Sequence, residues 1–198
     1  MTGIVYDLGC GVRPYEHDIM QYADRYVGVD WSNTLHGLSA EIVADLNQPL
    51  PIECSVANTV VSFQVIEHLS EPQTMINEAY RILQVGGRAF ISVPFQWWIH
   101  EAPYDYFRYT RYGLEHMLTK AGFVDIQVEA VTGFWVMWVL KFNYQTTRYI
   151  RGRWPISILM RALLTPLWFV GQTIAPLLDK IDFNEAETAG YFVTARKP

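Results

Sequence analysis

The sequence predicts an α/β fold built on a mainly parallel sheet, and three observations support this. Seven short apolar segments are typical of strands, and segments with the 3.6-residue apolar period of helices separate them. A turn containing two glycines, Gly9 and Gly11, follows the first strand. The first three strands each end in an acid, at Asp7, Asp30 and Asp45. Strands that alternate with helices favour parallel pairing, with helices covering both faces of the sheet.

The predicted strands are short and apolar, and polar residues follow several of them. They are Ile4–Tyr6, Tyr26–Asp30, Glu41–Asp45, Asn58–Phe63, Ala89–Val93, Phe123–Val131 and Tyr191–Ala195. Because ligands of open α/β sheets bind at the carboxyl ends of the strands, the side chains that follow these strands are the first candidates for a site.

The first and third helices are predicted from their start signals. Pro14 sets the backbone for a helix over Tyr15–Tyr26. Thr110 can cap a later helix, and Gly122 can end it. A loop is predicted over Asn33–Gly37.

The second helix shows the signature of a capping box. Ser70 can cap it and Gln73 can reciprocate, with Pro72 in the first turn. The pair Gly86-Gly87 is expected to end this helix before the fifth strand.

Length and composition limit the classes of protein to which this chain can belong. The 198 residues are expected to form one domain, 1–198, large enough to bury a core. Hydrophobic residues make up 51% and charged residues 18%, which excludes wholesale disorder, and the net charge of −5 argues against a nucleic-acid groove. Cys10 and Cys54 give neither a disulfide framework nor a metal cluster, and no signal peptide precedes the first strand. We therefore expect a cytoplasmic protein without a bound metal.

Several motifs together resemble those of class I S-adenosylmethionine-dependent methyltransferases. They are the strand-end acids, the polar run Gln64–Leu69, the segment Gly86–Pro94 and the run His100–Thr110. The resemblance covers residues 4–131 and 189–197. It implies a Rossmann-like, doubly wound sheet of seven strands, in which the last strand is antiparallel and inserts between the fifth and the sixth. It also implies an enzyme that uses S-adenosyl-L-methionine and releases S-adenosyl-L-homocysteine.

The resemblance also assigns residues to the cofactor. Asp7 would receive the ammonium group, and the glycine turn would face the methionine part. Asp30 comes nineteen residues after Gly11, the spacing of an acid that binds ribose hydroxyls. Pro14 stands where a dinucleotide fingerprint would have its third glycine, which favours S-adenosylmethionine over NAD. The predicted cofactor-binding residues are Asp7, Gly9, Cys10, Gly11, Asp30, Trp31, Asp45, Leu46 and Gln64.

The candidate catalytic residues follow strands four and five. Methyl transfer from a sulfonium needs alignment and, for a hydroxyl acceptor, a base that removes a proton. His68, His100 and Asp105 are the candidates, because their loops lie at the predicted carboxyl edge. Two of them have a specific structural alternative: His68 could pack at a helix entry, and Asp105 could pair with Arg108.

Residues 133–181 form an apolar, basic helical insert between strands six and seven. The stretch 130–178 contains no Asp or Glu, five Lys or Arg and four of the seven Trp. From Ile156 the apolar residues form a helical stripe. Arg161 and Pro166 disfavour a membrane span, so an interfacial helix pair is favoured. A lid or a homodimer contact is the alternative.

Two motifs that are missing after strand four limit the kind of methyl acceptor that is expected. Strand four is followed neither by an Asn/Asp-Pro-Pro-aromatic run nor by Pro-Cys, which disfavours methylation of nucleic-acid bases. The prediction is methyl transfer to an oxygen or nitrogen of a small-molecule, glycan or lipid-linked acceptor, in the cytoplasm or peripherally at the inner face of the membrane. The alternatives are a nicotinamide oxidoreductase and a non-catalytic module of the same fold that uses the insert to bind a partner or a membrane.

Overall fold

The computed structural model describes residues 2–32, 37, 39–151 and 155–198, and side chains from 157 onward in the last range. The chain falls into two compact units, one of Met1–Glu129 with Tyr191–Pro198 and one of Ala130–Gly190. The loop predicted over Asn33–Gly37 lies outside the described residues except for Gly37, and Arg153 of the basic insert lies outside them as well.

Seven strands form one sheet in the order β3-β2-β1-β4-β5-β7-β6. The pairs β1–β2, β1–β4, β2–β3 and β4–β5 are parallel, and β7 is antiparallel. The predicted Rossmann-like fold is therefore confirmed, including the position of the last strand between the fifth and the sixth. The strands are β1 (Ile4–Leu8), β2 (Arg25–Asp30), β3 (Ile42–Val43), β4 (Ala57–Phe63), β5 (Leu83–Pro94), β6 (Val124–Ala130) and β7 (Gly190–Arg196).

The register of the central strands positions the site. Asp7 of β1 pairs with Gly28 of β2 and with Val61 of β4, so the three strands end near one another. Buried aliphatic side chains such as Val5 fill both faces of these strands, as expected for a parallel sheet covered by helices. The turns after these strands consequently meet at one edge.

The first helix, α1 (Glu16–Ile19), is only one turn long, so the prediction of a helix over Tyr15–Tyr26 was wrong. The amide of Asp24 donates to the carbonyl of Gly3, 2.9 Å away, and thereby starts the pairing of β2 with β1. The chain has to leave the helical conformation before this point because a strand pairs with other backbone rather than with itself.

The third helix, α3 (Arg111–Ala121), confirms the prediction at both ends. The hydroxyl of Thr110 accepts a hydrogen bond from the amide of Gly113 at 3.1 Å. Gly122 ends the helix in the left-handed conformation, with φ of 103°.

The capping box predicted for α2 (Pro72–Ile82) is absent. The side chain of Asn47 binds the groups at the start of the helix instead. Its Oδ1 accepts from the Ser70 hydroxyl at 3.3 Å and from the Glu71 amide at 2.9 Å. Gln73 donates to Asn77 within the helix and to the carbonyl of Met117 instead of reciprocating. A contact with a residue distant in sequence therefore replaces the local cap.

The pair Gly86-Gly87 does not end α2, because β5 begins directly after the helix at Leu83. The register between β4 and β5 shifts between Ala57 and Thr59, and the two glycines lie in the irregular part of β5 before Arg88. Gly86 has φ of 80°, which explains the need for glycine there.

The unit Ala130–Gly190 contains an antiparallel helical hairpin of α4 (Phe134–Thr147) and α5 (Pro155–Ile181). A short 3-10 helix, Arg148–Ile150, follows α4. The carboxylate of Asp179, near the end of α5, accepts hydrogen bonds from the amides of Gly133, Trp135 and Val136 at the start of α4. The helical insert between strands six and seven is thus confirmed.

The two chain segments that connect this hairpin to the sheet lie side by side. The amide of Val131 donates to the carbonyl of Gly190 at 3.0 Å, and the amide of Ala189 donates to the Thr132 hydroxyl at 2.8 Å. Thr188, which is completely buried, accepts from the Thr132 amide at 3.2 Å. The segment that enters the hairpin and the segment that leaves it are therefore next to each other.

Candidate active site

A cavity of about 360 Å³ lies at the carboxyl ends of β1, β2 and β4. This volume falls in the range of small-molecule sites, about 300–1,000 Å³. All nine residues predicted to bind the cofactor line it. They are joined by Val12, Pro14, Tyr15, Asn47, Phe63, Val65, His68, Leu69, Glu101 and Tyr104.

Asp30 connects the two turns that form the floor of the cavity. Its Oδ2 accepts a hydrogen bond from the Gly11 amide at 2.7 Å, and its Oδ1 accepts from the Trp31 amide at 2.8 Å. Each carboxylate oxygen can accept a second hydrogen bond. The side chain is therefore held in place while it still has acceptor capacity for two neighbouring hydroxyls on a ligand.

Asp7 lies beneath the glycine turn and is almost completely buried. Burial raises the pKa of its carboxyl to about 6, although the hydrogen bond that the Tyr26 hydroxyl donates to its Oδ2, at 2.5 Å, opposes this shift. A buried carboxylate of this kind is stabilised when a cation binds next to it. The geometry suits the ammonium group of an amino acid.

The glycine turn itself can only be built with glycine at position 9. Gly9 has φ of 87°, and a Cβ there would lie 2.4 Å from a methyl carbon of Val65. Gly11 has φ of 52° but open space around it. The amides of Gly9 and Cys10 both donate to the carbonyl of Val29, which fixes the turn against the end of β2.

Apolar and amide side chains form the remaining walls that were predicted. Trp31 meets Tyr104 edge to face, with ring centroids 5.2 Å apart, and Leu46 is buried. Asp45 uses its Oδ1 to accept from the amide and the side chain of Asn47, both at 2.9 Å. Gln64, with φ of 57°, donates to the Ser92 hydroxyl at 3.1 Å.

The structure brings two of the candidate catalytic residues together. The rings of His68 and His100 lie edge to face with centroids 4.8 Å apart, and His68 lines the cavity. The Nδ1 of His68 lies 2.7 Å from the carbonyl oxygen of Tyr104. Because a carbonyl can only accept, this contact assigns the proton of a neutral ring to Nδ1 and leaves Nε2 as an acceptor.

The third candidate, Asp105, is held by an arginine. Arg108 donates to both of its oxygens, and the His100 amide donates to its Oδ2 at 2.9 Å. The guanidinium keeps the pKa of this carboxyl well below its usual range. Asp105 also lies 3.4 Å from Nδ1 of His100, where it can orient that ring.

Sequence reasoning missed Glu67. Its side chain is completely buried, and neither carboxylate oxygen has a hydrogen-bond partner in the part of the chain that the structure describes. Burial raises the pKa of its carboxyl to about 7. The sequence did contain a signal, since an acid follows directly on the apolar pair Val65-Ile66.

The comparison with protein families found a match within the sheet unit. Residues 6–91 match the family described as a methyltransferase domain. This part of the chain is thus similar to a class I S-adenosylmethionine-dependent methyltransferase domain. The matched range covers the end of β1, strands β2 to β4 and most of β5, and thus the glycine turn and the three strand-end acids.

One curated relative supports this assignment. It is a probable S-adenosylmethionine-dependent methyltransferase of Mycolicibacterium smegmatis, 30% identical over 96 residues, which are 46% of this chain and 37% of the relative.

Solved structures share the fold of the methyltransferase domain. The phosphoethanolamine N-methyltransferase 2 of Haemonchus contortus, in complex with phosphomonomethylethanolamine and S-adenosylhomocysteine, superposes with a TM-score of 0.61 at 19% identity, covering 100% of this chain and 50% of that one. The [4+2]-cyclase SpnF superposes with a TM-score of 0.62 at 19% identity, covering 98% of this chain and 75% of that one. The chain thus spans half or less of the Mycolicibacterium and Haemonchus proteins.

Proposed function

We propose that this chain transfers the methyl group of S-adenosylmethionine to an oxygen or nitrogen of a small-molecule, glycan or lipid-linked acceptor and releases S-adenosylhomocysteine. The observation that carries the proposal is the position of Asp30, on the cavity wall between the glycine turn and Trp31. The residues present fit the cofactor: a held carboxylate for the ribose hydroxyls, a buried carboxylate for the ammonium group, and apolar walls for the adenine.

The residues of the cavity contribute mainly by positioning. The bound cofactor supplies a methyl carbon already activated by its sulfonium, so the protein has to orient it and exclude water. Orientation of reactants can lower a barrier by about 7–11 kcal/mol. Asp7 and Asp30 would hold the amino-acid and ribose parts of the cofactor, and the Gly9–Gly11 turn would let the backbone approach it without intervening side chains.

The polar cluster beside the cavity is where an acceptor would lose its proton. His68, with Nε2 directed towards Glu67 and Glu101 at 3.7 and 3.8 Å, is the best placed of the three candidates. Asp105 is the least suited, because its pair with Arg108 keeps it ionised and a weak base. A base at this point would contribute about 10²–10⁴-fold to the rate for a hydroxyl acceptor.

The test has to measure both binding and turnover, since the same fold supports other chemistry. Calorimetry should detect binding of S-adenosylhomocysteine to the chain. Incubation with S-adenosylmethionine and a cell extract should then produce S-adenosylhomocysteine. Binding without turnover in any extract would favour the non-catalytic module, and binding of NADH instead would favour the oxidoreductase.

A further inference from the structure

We propose that Glu67, His68 and His100 bind one divalent transition-metal ion beside the cofactor cavity. One ligand atom from each residue lies within 4.8 Å of the other two. Two ligands of one such ion are at most about 4 Å apart, so the three atoms have to approach one another by less than about 1 Å. Two imidazoles and one carboxylate are typical ligands of Zn²⁺, Fe²⁺ and Mn²⁺.

The unpartnered carboxylate of Glu67 is the second, independent observation. A completely buried carboxylate without hydrogen bonds is costly and demands either a proton or a cation. The surroundings favour a cation, because Asp105 and Arg108 cancel each other as an ion pair and Glu101 adds one further carboxylate to that of Glu67. A divalent ion would balance this local charge.

Both imidazoles are already oriented as metal ligands usually are. A ligating histidine generally donates its other N–H to a carbonyl or a carboxylate. The Nδ1 of His68 meets the Tyr104 carbonyl at 2.7 Å, and the Nδ1 of His100 lies 3.3 Å from the Trp98 carbonyl. The Nε2 atoms are therefore the ones left for the ion.

The role that we assign to this metal ion rests on the proposed function. A divalent ion at this point would hold an acceptor hydroxyl and lower its pKa, so that the hydroxyl loses its proton to water. The ion would then replace His68 as the group that activates the acceptor. A metal-binding measurement on the whole chain without cofactor tests the site independently of the methyl transfer.

The experiment is titration of the purified chain with Mn²⁺, followed by electron paramagnetic resonance, and with Zn²⁺, followed by calorimetry. We expect one ion per chain, and at least about tenfold weaker binding in Glu67→Gln and in His100→Ala. His116→Ala, on the exposed side of α3, is the matched control and should leave the affinity unchanged. Thermal unfolding checks that each variant is folded.

Each outcome decides between the two proposals. Absence of binding, or equal affinity in Glu67→Gln, overturns the metal site. If S-adenosylhomocysteine still binds in that case, the proposed function stands without the metal ion. If the metal binds and S-adenosylhomocysteine does not, the site stands and the proposed function falls.

A second inference rests on the helical hairpin: we propose that it docks on the surface of an anionic lipid membrane. One stripe of α5 is apolar and exposed over the whole length of the helix, at spacings of three and four residues. Its side chains are 45–83% exposed. They are Leu159, Leu163, Leu167, Val170, Ile174, Leu177 and Ile181.

The charges of the hairpin match an anionic surface. The stretch 130–178 contains no acid, and the described basic residues Lys141, Arg148, Arg151 and Arg161 lie within it. Basic residues beside an exposed apolar helix face are typical of helices that lie in the membrane interface. Trp138 and Phe134 add exposed aromatic rings on α4.

The geometry of the hairpin argues for docking on the surface rather than spanning. Ser157–Ile181 is long and apolar enough to cross a membrane, with mean hydropathy 1.4. However, Asp179, near the end of α5, accepts hydrogen bonds from amides at the start of α4. The first and last residues of the hairpin therefore lie at the same end of it. The other helix of the hairpin, α4, has 14 residues and is about 21 Å long, too short for the hydrocarbon core of about 30 Å.

A second copy of the chain is the competing occupant of this stripe. The spacing of three and four residues also suits a coiled coil, but coiled coils place charged residues of both signs beside the apolar seam. Here Pro166, Gly171, Thr173, Leu178 and Lys180 flank it, and the stretch 130–178 has no acid that could pair with Lys180 across such a seam. The membrane is therefore the better match.

The test is flotation of the full chain with vesicles of phosphatidylcholine, with and without phosphatidylglycerol. We expect binding that needs the anionic lipid and weakens as salt is added. The double variant Leu163→Asp with Val170→Asp should bind at least about tenfold more weakly. The control places the same charges at Val85 and Tyr112, both 78% exposed on the sheet unit, and should still float.

Failure to float overturns the membrane proposal. Analytical ultracentrifugation then identifies the occupant: a dimer that the double variant dissociates assigns the stripe to a second copy of the chain. Flotation that is equal in the double variant and the wild type also overturns the proposal, because binding would then not depend on the stripe.

Discussion

The amide of Gly11 donates to Oδ2 of Asp30 over 2.7 Å, which joins the turn after β1 to the end of β2. The same carboxylate accepts from the Trp31 amide. The acid thus shapes the two turns that it would use to bind a nucleoside, and its loss should affect both the order of the turns and the contact with ligand.

Asp30→Ala should weaken binding of S-adenosylhomocysteine by about 10–100-fold. A hydrogen bond to a charged group contributes about 1.5–3 kcal/mol, and the two turn amides also lose their partner. Asp30→Asn keeps an acceptor for one amide and should recover part of the loss. Calorimetry measures both variants against Asp125→Ala, whose carboxylate lies on the surface and pairs with Arg196. Equal affinity in Asp30→Ala and wild type would contradict the cofactor assignment.

The carboxyl of Asp7 should make stability depend on pH in the acid range. Burial raises its pKa in the folded state to about 6, above the ordinary value of 3.8. Between these values the folded state holds more protons than the unfolded state, so stability falls as pH rises from about 4 to about 6. The contribution is on the order of 2–3 kcal/mol. Urea unfolding at a series of pH values should show this slope in wild type and a smaller slope in Asp7→Asn, because Glu67 remains.

Gly9→Ala should destabilise the domain, whereas Gly11→Ala should be tolerated better. Alanine at position 9 brings a Cβ to 2.4 Å from Val65 in addition to the strain of positive φ, and we expect a cost on the order of 1–3 kcal/mol. Position 11 has strain but open space. Chemical unfolding compares the two variants, and adding Val65→Ala to Gly9→Ala tests the clash. Equal losses in both single variants would show that strain alone decides.

Asp179→Ala should loosen the start of α4. Three backbone amides, those of Gly133, Trp135 and Val136, lose a buried acceptor, and the loss of a cap alone costs about 1–2 kcal/mol. Hydrogen exchange of these amides should accelerate about tenfold or more, while the exchange of β1 and β4 amides stays unchanged. Asp182→Ala, just beyond α5 and exposed, is the control. Unchanged exchange at Trp135 would refute this role of Asp179.

The alternation of strands and helices and the edge at which the cavity lies could be predicted because they depend on local patterns, whereas the position of the last strand was implied by the family resemblance. Strand-end acids and a glycine turn place ligands at the carboxyl edge of any parallel sheet. The cap of α3 was predicted correctly for the same reason, since Thr110 and Gly113 are neighbours in the chain. A helix cap of this kind depends only on residues that are close together in the sequence.

The features that could not be predicted depend on contacts between distant residues. Asn47 displaces the capping box of α2 from 23 positions away, and the pairing of Asp24 with Gly3 shortens α1. Glu67 was missed because its lack of a partner becomes visible only when the loop from His100 folds over it. The same contact brings together His68 and His100, which are far apart in the chain.

Val131 and Gly190, where the chain enters and leaves the hairpin, are hydrogen-bonded to each other. The unit Ala130–Gly190 can therefore be replaced by a shorter connection. A turn of a few residues between Thr132 and Thr188 would bridge the same gap, because the cost of closing a loop depends only weakly on its length. The neighbouring strands β6 and β7 would keep their pairing. We therefore expect a chain in which such a turn replaces the hairpin to keep the seven-stranded sheet and the cavity at its carboxyl edge.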